Sequence, residues 1–343
     1  MRKDFLAKVA AGQHLTREEA LDVGRDLAAG RSEPLQCAAF LAALAARGET
    51  SEELTGLAKA FIEAATPMRS FPEAVDTCGT GGDGRGTFNL STAAALAAAA
   101  LGATVAKHGN RSVSSACGSA DLLERAGVAV DSTPREAEER LEHQRFCFLF
   151  APRFHPAMAH VAQVRRELGF RTVFNLLGPL LNPAGVQHQV VGVFDAPRQS
   201  LVAQTLLALG TERALVIHGH GGYDEAVLHG PVSVIEMSGG VTQRYEVSAS
   251  DFGLPQGQPQ DLAGGSVAKN AGIFETLLAG DGPSGLRNAV AANCALALRS
   301  CGMCEDLREG AGRAAEALGT GEVGRFVDGL RGTLLEAPRA QVS

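Results

Sequence analysis

Three clusters of residues in this chain have the types and spacing to do chemistry. The first runs D-T-C-G-T-G-G-D-G-R-G-T-F-N-L-S-T from Asp76 to Thr92. Gly79, Gly81, Gly82, Gly84 and Gly86 carry no side chain, which lets backbone N–H groups close on an anion. Asn89, Ser91 and Thr92 stand where a helix over 93–101 would begin, and their side-chain oxygens suit its unpaired N–H groups. A helix N-terminus also carries partial positive charge, which favours phosphate. The spacing is not a P-loop, because no Gly-Lys-Ser/Thr closes it. It is not a dinucleotide fingerprint, because no G-x-G-x-x-G opens the helix. Taken alone, a glycine-rich surface turn accounts for this loop as well as a phosphate cradle does.

The second cluster, K-H-G-N-R-S-V-S-S-A-C-G-S-A-D from Lys107 to Asp121, follows a strand predicted over Ala103–Ala106. Lys107 and Arg111 supply cationic donors there, with Ser112, Ser114, Ser115 and Ser119 behind them. Ligands of open α/β sheets bind at the carboxyl ends of strands. Two donor-rich loops, one βαβ step apart, converge on that edge. The third cluster is Asp224-Glu225 in G-G-Y-D-E, just after a strand predicted to end at His218. Adjacent carboxylates suit Mg²⁺, a hard cation that takes oxygen ligands and substrate phosphates. A bare pair of this kind is more often a solvated acidic turn.

The elements that must position these clusters are legible in outline. Residues 1–70 read as wholly helical. Thr16 with Glu19 and Thr50 with Glu53 form capping boxes, Pro34 suits a first helical turn, and Gly48 suits a helix end. From Phe71 the pattern changes to alternating strands and helices. Strands are predicted at 128–130, 146–150, 189–194 and 214–218, with a capping box at Thr133 and Glu136 and a helix over 197–209. Such alternation implies a mainly parallel sheet covered on both faces. The expected fold is therefore α/β: a small helical N-terminal domain and a larger α/β domain. Segment 165–183 breaks the rhythm.

Composition bounds the function. The 343 residues carry 31 basic and 38 acidic side chains, a net charge of −7, with no Trp and 2 Tyr. That disfavours general nucleic-acid or membrane-surface binding and leaves few platforms for base stacking. Met1-Arg2-Lys3 leads into an amphipathic helix rather than an apolar signal segment. The most apolar run, 92–106, is too short for a bilayer. Seven cysteines without framework spacing fit thiols in a reducing cytoplasm. The single C-x-x-C at Cys301 and Cys304 lacks the further ligands a metal site needs.

With G-T-G-G-D, F-N-L-S-T, K-H-G-N-R and G-S-A-D in this order, the chain resembles the anthranilate phosphoribosyltransferase family of tryptophan biosynthesis. The resemblance extends through F-A-P-R-F-H-P-A-M at 150–158, V-R-R-E-L-G-F-R-T-V-F-N-L-L-G-P-L-L-N-P at 164–183, G-G-Y-D-E at 221–225 and Gly264-Gly265 with Asn270-Ala271. It implies displacement at C1 of 5-phosphoribosyl 1-diphosphate (PRPP) by the amine of anthranilate, with pyrophosphate leaving. It also implies domains at 1–70, with a returning segment at about 165–185, and at 71–164 with 186–343, forming a homodimer through the helical domain.

By the family pattern, Gly79, Gly82, Asp83, Thr87, Asn89, Leu90, Ser91 and Thr92 line the donor. Lys107, His108, Gly109, Asn110, Arg111, Ser112, Val113, Ser114, Ser115 and Ser119 form its other wall. Gly79, Asn110 and Arg165 meet anthranilate, with His108 and Pro179 packing its ring. A guanidinium suits the acceptor carboxylate, although a bare R-R-E would equally give Arg165 a surface ion pair. Two Mg²⁺ ions are implied, Glu225 touching both, Asp224 one, and Ser91 helping to hold the other on the diphosphate. No general base is assigned, since an aromatic amine is already neutral at pH 7. Ala116 replaces a lysine common in the family, and Val232 replaces a threonine. Two other assignments stay open on the same residues. One is a pyrimidine nucleoside phosphorylase-like enzyme, and the other is a non-catalytic, nucleic-acid-binding relative of the fold.

Overall fold

The computed structural model describes residues 1–112 and 116–331. Four helices open the chain: α1 (Lys3–Ala10), α2 (Arg17–Ala28), α3 (Pro34–Arg47) and α4 (Ser51–Glu63). Their boundaries follow local chemistry. The Thr16/Glu19 and Thr50/Glu53 capping boxes are both formed, Pro34 sits in the first turn of α3, and Gly48 closes that helix. The remaining elements are β1 (Val75–Gly79), α5 (Leu90–Ala100), β2 (Val105–Gly109), α6 (Ser119–Arg125), α7 (Pro134–Gln144), β3 (Phe146–Phe150), α8 (Ala151–Phe154), α9 (Ala159–Leu168), α10 (Phe174–Leu177), β4 (His188–Gly192), α11 (Ala196–Leu209) and β5 (Arg213–Gly219). They end with β6 (Val232–Ser238), β7 (Val241–Val247), α12 (Val267–Leu278), α13 (Ser284–Ser300), α14 (Leu307–Gly319) and α15 (Glu322–Arg331).

The strands form one sheet in the order β3-β2-β1-β4-β5-β6-β7. β3 to β5 run parallel, and β6 and β7 add an antiparallel hairpin at one edge. The chain places β2 and β3 on one side of β1, and β4 and β5 on the other. The winding therefore reverses between β1 and β4, which opens a crevice at their carboxyl ends.

Alternation along the strands divides the core. Leu215 and Ile217 face a layer of α5 and α13, while Ala214 and Val216 face α11 and the N-terminal helices. Helix α5 is almost entirely buried, as an all-apolar helix must be, and its run of alanines leaves room for α13 beside it. Val161, Val164, Phe174 and Leu177, from α9 and α10, join the same core as α1 to α4. Segment 159–177 thus packs on the N-terminal helices, although it lies in the middle of the chain.

Three local expectations need correction, and one element was unforeseen. Residues 128–130 form no strand. The Val128 N–H is spent on the Leu123 carbonyl at the end of α6, and Val128 and Val130 are buried without ladder partners. Strand β2 starts later than 103 and runs through Gly109, so Lys107 and His108 are ladder residues opposite Phe148 and Leu149, not loop donors. The helix after the glycine-rich loop begins at Leu90, and no side chain of Asn89 caps it. The hairpin β6–β7 was not anticipated. It turns at Gly239 and Gly240, at φ 57° and 82°, which suits the twist of a two-residue connection.

Candidate active site

Every one of the four central parallel strands ends in glycine: Gly79, Gly109, Gly192 and Gly219. The reason lies in what packs against them. A Cβ on Gly192 would fall 1.6 Å from the Asp224 carbonyl oxygen. One on Gly219 would fall 2.3 Å from the Glu225 carbonyl oxygen, and one on Gly79 2.5 Å from the Asp224 carboxylate. Bare strand ends thus let the loop after β5 sink into the crevice. Gly79 was expected at the site. Gly192 and Gly219 were not, because nothing beside either in the sequence shows which backbone packs against it.

That loop delivers two carboxylates onto the glycine-rich segment. Asp224 Oδ2 accepts the Gly81 N–H at 2.7 Å, and Glu225 Oε1 accepts the Ser91 N–H at 3.1 Å. Glu225, not Asn89 or Thr92, therefore caps α5, and the positive helix end favours that charge. Burial pushes the Asp224 carboxyl up to about 6, and the negative charge of Asp83 adds to it. Glu225 rises well above the usual range, through burial and then repulsion from Asp224. Glu225 Oε2 and Asp83 Oδ2 are buried without a hydrogen-bond partner among the described residues. A cavity of about 10 Å³, lined in part by Thr77, Ser91, Asp224 and Glu225, opens beside Glu225 and has room for about one water-sized species.

Lys107 is the buried cation of this cluster. Its Nζ donates to the Thr77 carbonyl at 2.5 Å and lies 3.4 Å from Ser91 Oγ. Burial lowers its proton affinity, while Asp76 and Glu225 oppose that. Asp76 is held by Asn182 Nδ2 at 2.8 Å and by the His108 N–H at 3.2 Å. The His108 ring stacks edge-on against His155, with centroids 5.1 Å apart. Burial, and then His155, bring its pKa down to about 3, so it is neutral. His155 Nε2 contacts the Leu181 carbonyl at 2.6 Å, as a structural histidine does.

The rest of the glycine-rich loop is braced from outside. Thr87 bridges to Ala263, and the Gly264 N–H reaches the Gly86 carbonyl at 3.0 Å. Asn89 joins Asn270 and the Cys117 carbonyl, both at 3.0 Å. Leu90 and Thr92 are fully buried on α5, and Thr92 Oγ1 has no partner. On the opposite wall Ser119 Oγ lies 3.3 Å from the Asn110 carbonyl. Gly109 is closed over by Ser119 and Phe148. Arg111 is half-exposed and paired with Glu124 and Asp121 at 2.7 and 3.1 Å. Asp121 in turn accepts the Ser112 N–H at 3.1 Å. Ala116 is exposed, and Val113, Ser114 and Ser115 lie outside the described residues.

Arg165 makes no ion pair among the described residues. It lies over Phe174, 5.3 Å from the ring centroid, and burial lowers its proton affinity. The surface pairing that R-R-E suggests is therefore absent. Pro179 occupies a short 3₁₀ turn, Gly178–Leu180, and its carbonyl accepts from Gln189 Nε2 at 3.1 Å. Arg85 and Arg171 were not singled out from sequence. The Arg85 guanidinium donates to the Gly221 carbonyl, and that of Arg171 to the Gly82 carbonyl.

Comparison with known proteins places this arrangement. Residues 71–323 match the a/b domain of a glycosyl transferase family, and residues 3–65 match that family's helical bundle domain. The anthranilate phosphoribosyltransferase of Shouchella clausii is 43% identical over 335 residues, covering 96% of this chain and 97% of that protein. The crystal structure of the Thermus thermophilus enzyme of the same name superposes with a TM-score of 0.90 at 44% identity, covering 96% of this chain and 98% of that one. The Saccharomyces cerevisiae enzyme, in complex with PRPP and Mg, superposes with a TM-score of 0.85 at 26% identity, covering 95% of each chain.

Proposed function

The chain belongs to the anthranilate phosphoribosyltransferase family, and from that premise we propose how its own residues carry the reaction. It is a pentosyltransferase of tryptophan biosynthesis, moving the phosphoribosyl group of PRPP to the amine of anthranilate and releasing pyrophosphate. The observation that carries the assignment of roles is the seating of Asp224 and Glu225 on Gly81 and Ser91, at the head of α5.

The donor set suits Mg²⁺. Two partnerless carboxylate oxygens are buried there, and both acids of the pair are disfavoured as bare anions. A cation here would complete its shell with substrate phosphate and water, as Mg²⁺ usually does. We assign Glu225, Asp224 and Ser91 as the protein ligands, for two ions per subunit. When bound, Mg²⁺ neutralises charge on the departing diphosphate. Gly79, Gly82, Asp83, Thr87, Asn89, Leu90, Ser91 and Thr92, with the 107–119 arm, hold the diphosphate and ribose, where oriented donors stabilise the charge that develops on the leaving group. Arg165, desolvated and without an acidic partner among the described residues, takes the anthranilate carboxylate. With Asn110, His108 and Pro179 it orients the amine over C1, which supplies much of the rate enhancement.

We further divide the chain into a helical body, 1–70 with 165–185, and an α/β body, 71–164 with 186–343, with the acceptor between them. Leu35, highly exposed at the start of α3, supports a homodimer through the helical body. Seven free thiols suit a cytoplasmic setting. No helix among the described residues is long and apolar enough to cross a membrane.

The deciding experiment follows anthranilate fluorescence with purified protein, PRPP and Mg²⁺. The expected result is loss of signal with pyrophosphate release, abolished by EDTA. Undiminished fluorescence with PRPP bound would overturn the acceptor assignment.

A further inference from the structure

The turn between α9 and α10 is fixed at both ends. Gly169 closes α9 in the left-handed region, at φ 66°. Thr172 is buried, and its N–H donates to Asn175 Oδ1 at 3.0 Å. Between these anchors Arg171 extends across the crevice. Its guanidinium lies 3.7 Å from the centroid of the Phe194 ring, just beyond β4. Stacking of this kind orients the planar donor fork. From there it donates to the carbonyl of Gly82, in the loop after β1. One side chain thus touches both segments that flank the reversal of strand order.

Between its braced ends, at Thr80 and at Gly86 and Thr87, the loop it touches is held by side chains. The Gly81 N–H is held by Asp224 at 2.7 Å, and at the far end Arg85 reaches the Gly221 carbonyl and overlies Tyr223. Asp83 lies between these pins; its Oδ1 accepts the Arg85 N–H at 3.0 Å, and its Oδ2 is buried without a partner among the described residues. The Arg171 pin differs from the others because it comes from the segment that carries Arg165, six residues earlier.

We propose that Arg171 is a positioning residue that couples the acceptor segment to the donor loop, holding Gly82 so that Asp83 stays beside the Asp224–Glu225 pair. This rests on the phosphoribosyl transfer proposed above and adds to it a residue, and a linkage, between the two substrate sites. Filling the acceptor site steadies α9 and its following turn, and Arg171 passes that order to the loop that binds PRPP. Order given to a loop before its ligand arrives appears as tighter binding.

The test is a grid of initial rates over PRPP and anthranilate at fixed Mg²⁺, using the full-length wild type, Arg171→Ala and Arg171→Lys. In the wild type the donor KM falls as anthranilate rises. In Arg171→Ala it is raised about tenfold, the worth of one charge-assisted hydrogen bond, and no longer depends on anthranilate. Arg171→Lys keeps the charge without the stacked fork and recovers only part of the coupling. A merely structural arginine would change thermal stability and leave the dependence on anthranilate intact. A wild type whose donor KM ignores anthranilate, or an Arg171→Ala enzyme that keeps the dependence, overturns the proposal. Should Arg171→Ala fail to fold, Arg171→Lys and Phe194→Leu decide by the same readout. A wild type with no transfer at all overturns the transfer assignment instead. Arg171 is then judged by calorimetry of PRPP with Mg²⁺, where unchanged affinity in the variant sinks its hold on the loop.

Discussion

The two walls of the crevice meet the same space but are built differently. At the ends of β1, β4 and β5 the wall is made by close approach. Bare glycines admit the 219–225 loop, and two carboxylates, Glu225 buried and Asp224 partly so, accept backbone N–H groups of another segment. At the end of β2 the wall is an arm held by local contacts. Arg111 pairs with Asp121 and Glu124, Asp121 gathers the Ser112 and Gly118 N–H groups, and Ser119 reaches back to Asn110. The two basic residues expected in that arm part company accordingly. Lys107 is buried among Asp76, Thr77 and Ser91, and Arg111 stands half in solvent. A wall made by distant close approach stores unneutralised charge for a cation to relieve. In the other wall the described charges, Arg111, Asp121 and Glu124, are already paired locally and give up little when a ligand arrives.

The largest expected effect breaks the first wall. Asp224→Asn with Glu225→Gln keeps shape and hydrogen-bonding capacity while removing both charges. Turnover should fall by about 10²–10³-fold, the usual loss when a transition-state charge contact is removed. The metal-free variant should melt no lower than the wild type, since repulsion between buried acids is relieved. Steady-state rates with circular dichroism check both, and retained turnover would remove the pair from the chemistry.

Gly192→Ala attacks the same wall without touching its charge. The added methyl would need the space of the Asp224 carbonyl oxygen, 1.6 Å away, and the backbone cannot yield cheaply. Overpacking of this kind costs about 1–3 kcal/mol. The loop bearing both acids should shift, so that the concentration of Mg²⁺ for half-maximal rate rises about tenfold or more while anthranilate affinity is less affected. An unchanged Mg²⁺ requirement would mean that the strand-end glycines do not set the loop.

These contacts also explain how far the sequence could be read. The three capping boxes were legible because both partners lie within four residues, and their boundaries hold. The mainly parallel sheet was legible from alternation of strand and helix. What escaped depends on distance along the chain. Nothing near Ser91 announces that its N–H is capped by a residue 134 positions away. Gly192 and Gly219 look like any strand end until Asp224 and Glu225 are placed beside them. Lys107 reads as a loop donor because lysines are rarely buried, and only the β1 and β3 ladders on either side of β2 put it inside. Residues 128–130 have a strand's apolar character, but their backbone is claimed by the end of α6.

A smaller effect is expected from pH. Both acids have folded-state values raised above their unfolded ones, Asp224 to about 6. Between the unfolded value, about 4, and that raised value the folded chain binds more protons than the unfolded chain. Their contribution to stability is therefore fully present below about pH 4 and is lost as pH rises through the folded values. Other carboxylates shift the opposite way, including Asp26 and Asp121, so the clean readout is the melting difference between wild type and the double variant without metal. The variant's advantage should grow from pH 5 to pH 7.5 and vanish when Mg²⁺ and PRPP saturate the wild type. A difference flat with pH would mean that the pair is not held as a buried, uncompensated anion.

The smallest effect should come from the second wall, and its smallness is what separates the two. Arg111→Ala removes two half-exposed ion pairs, each worth about 0–1 kcal/mol, and Asp121 keeps its bonds to the Ser112 and Gly118 N–H groups. Stability should hardly move. If the arm faces the donor's phosphates, donor KM should rise a few-fold in dilute buffer, and the rise should shrink in salt, because a charge in solvent acts through a screened field. The Gly192→Ala defect, being steric, should be indifferent to salt. Donor KM measured for both variants across an ionic-strength series therefore tests the contrast between a wall built by shape and one built by exposed charge. Parallel salt curves for the two variants would dissolve it.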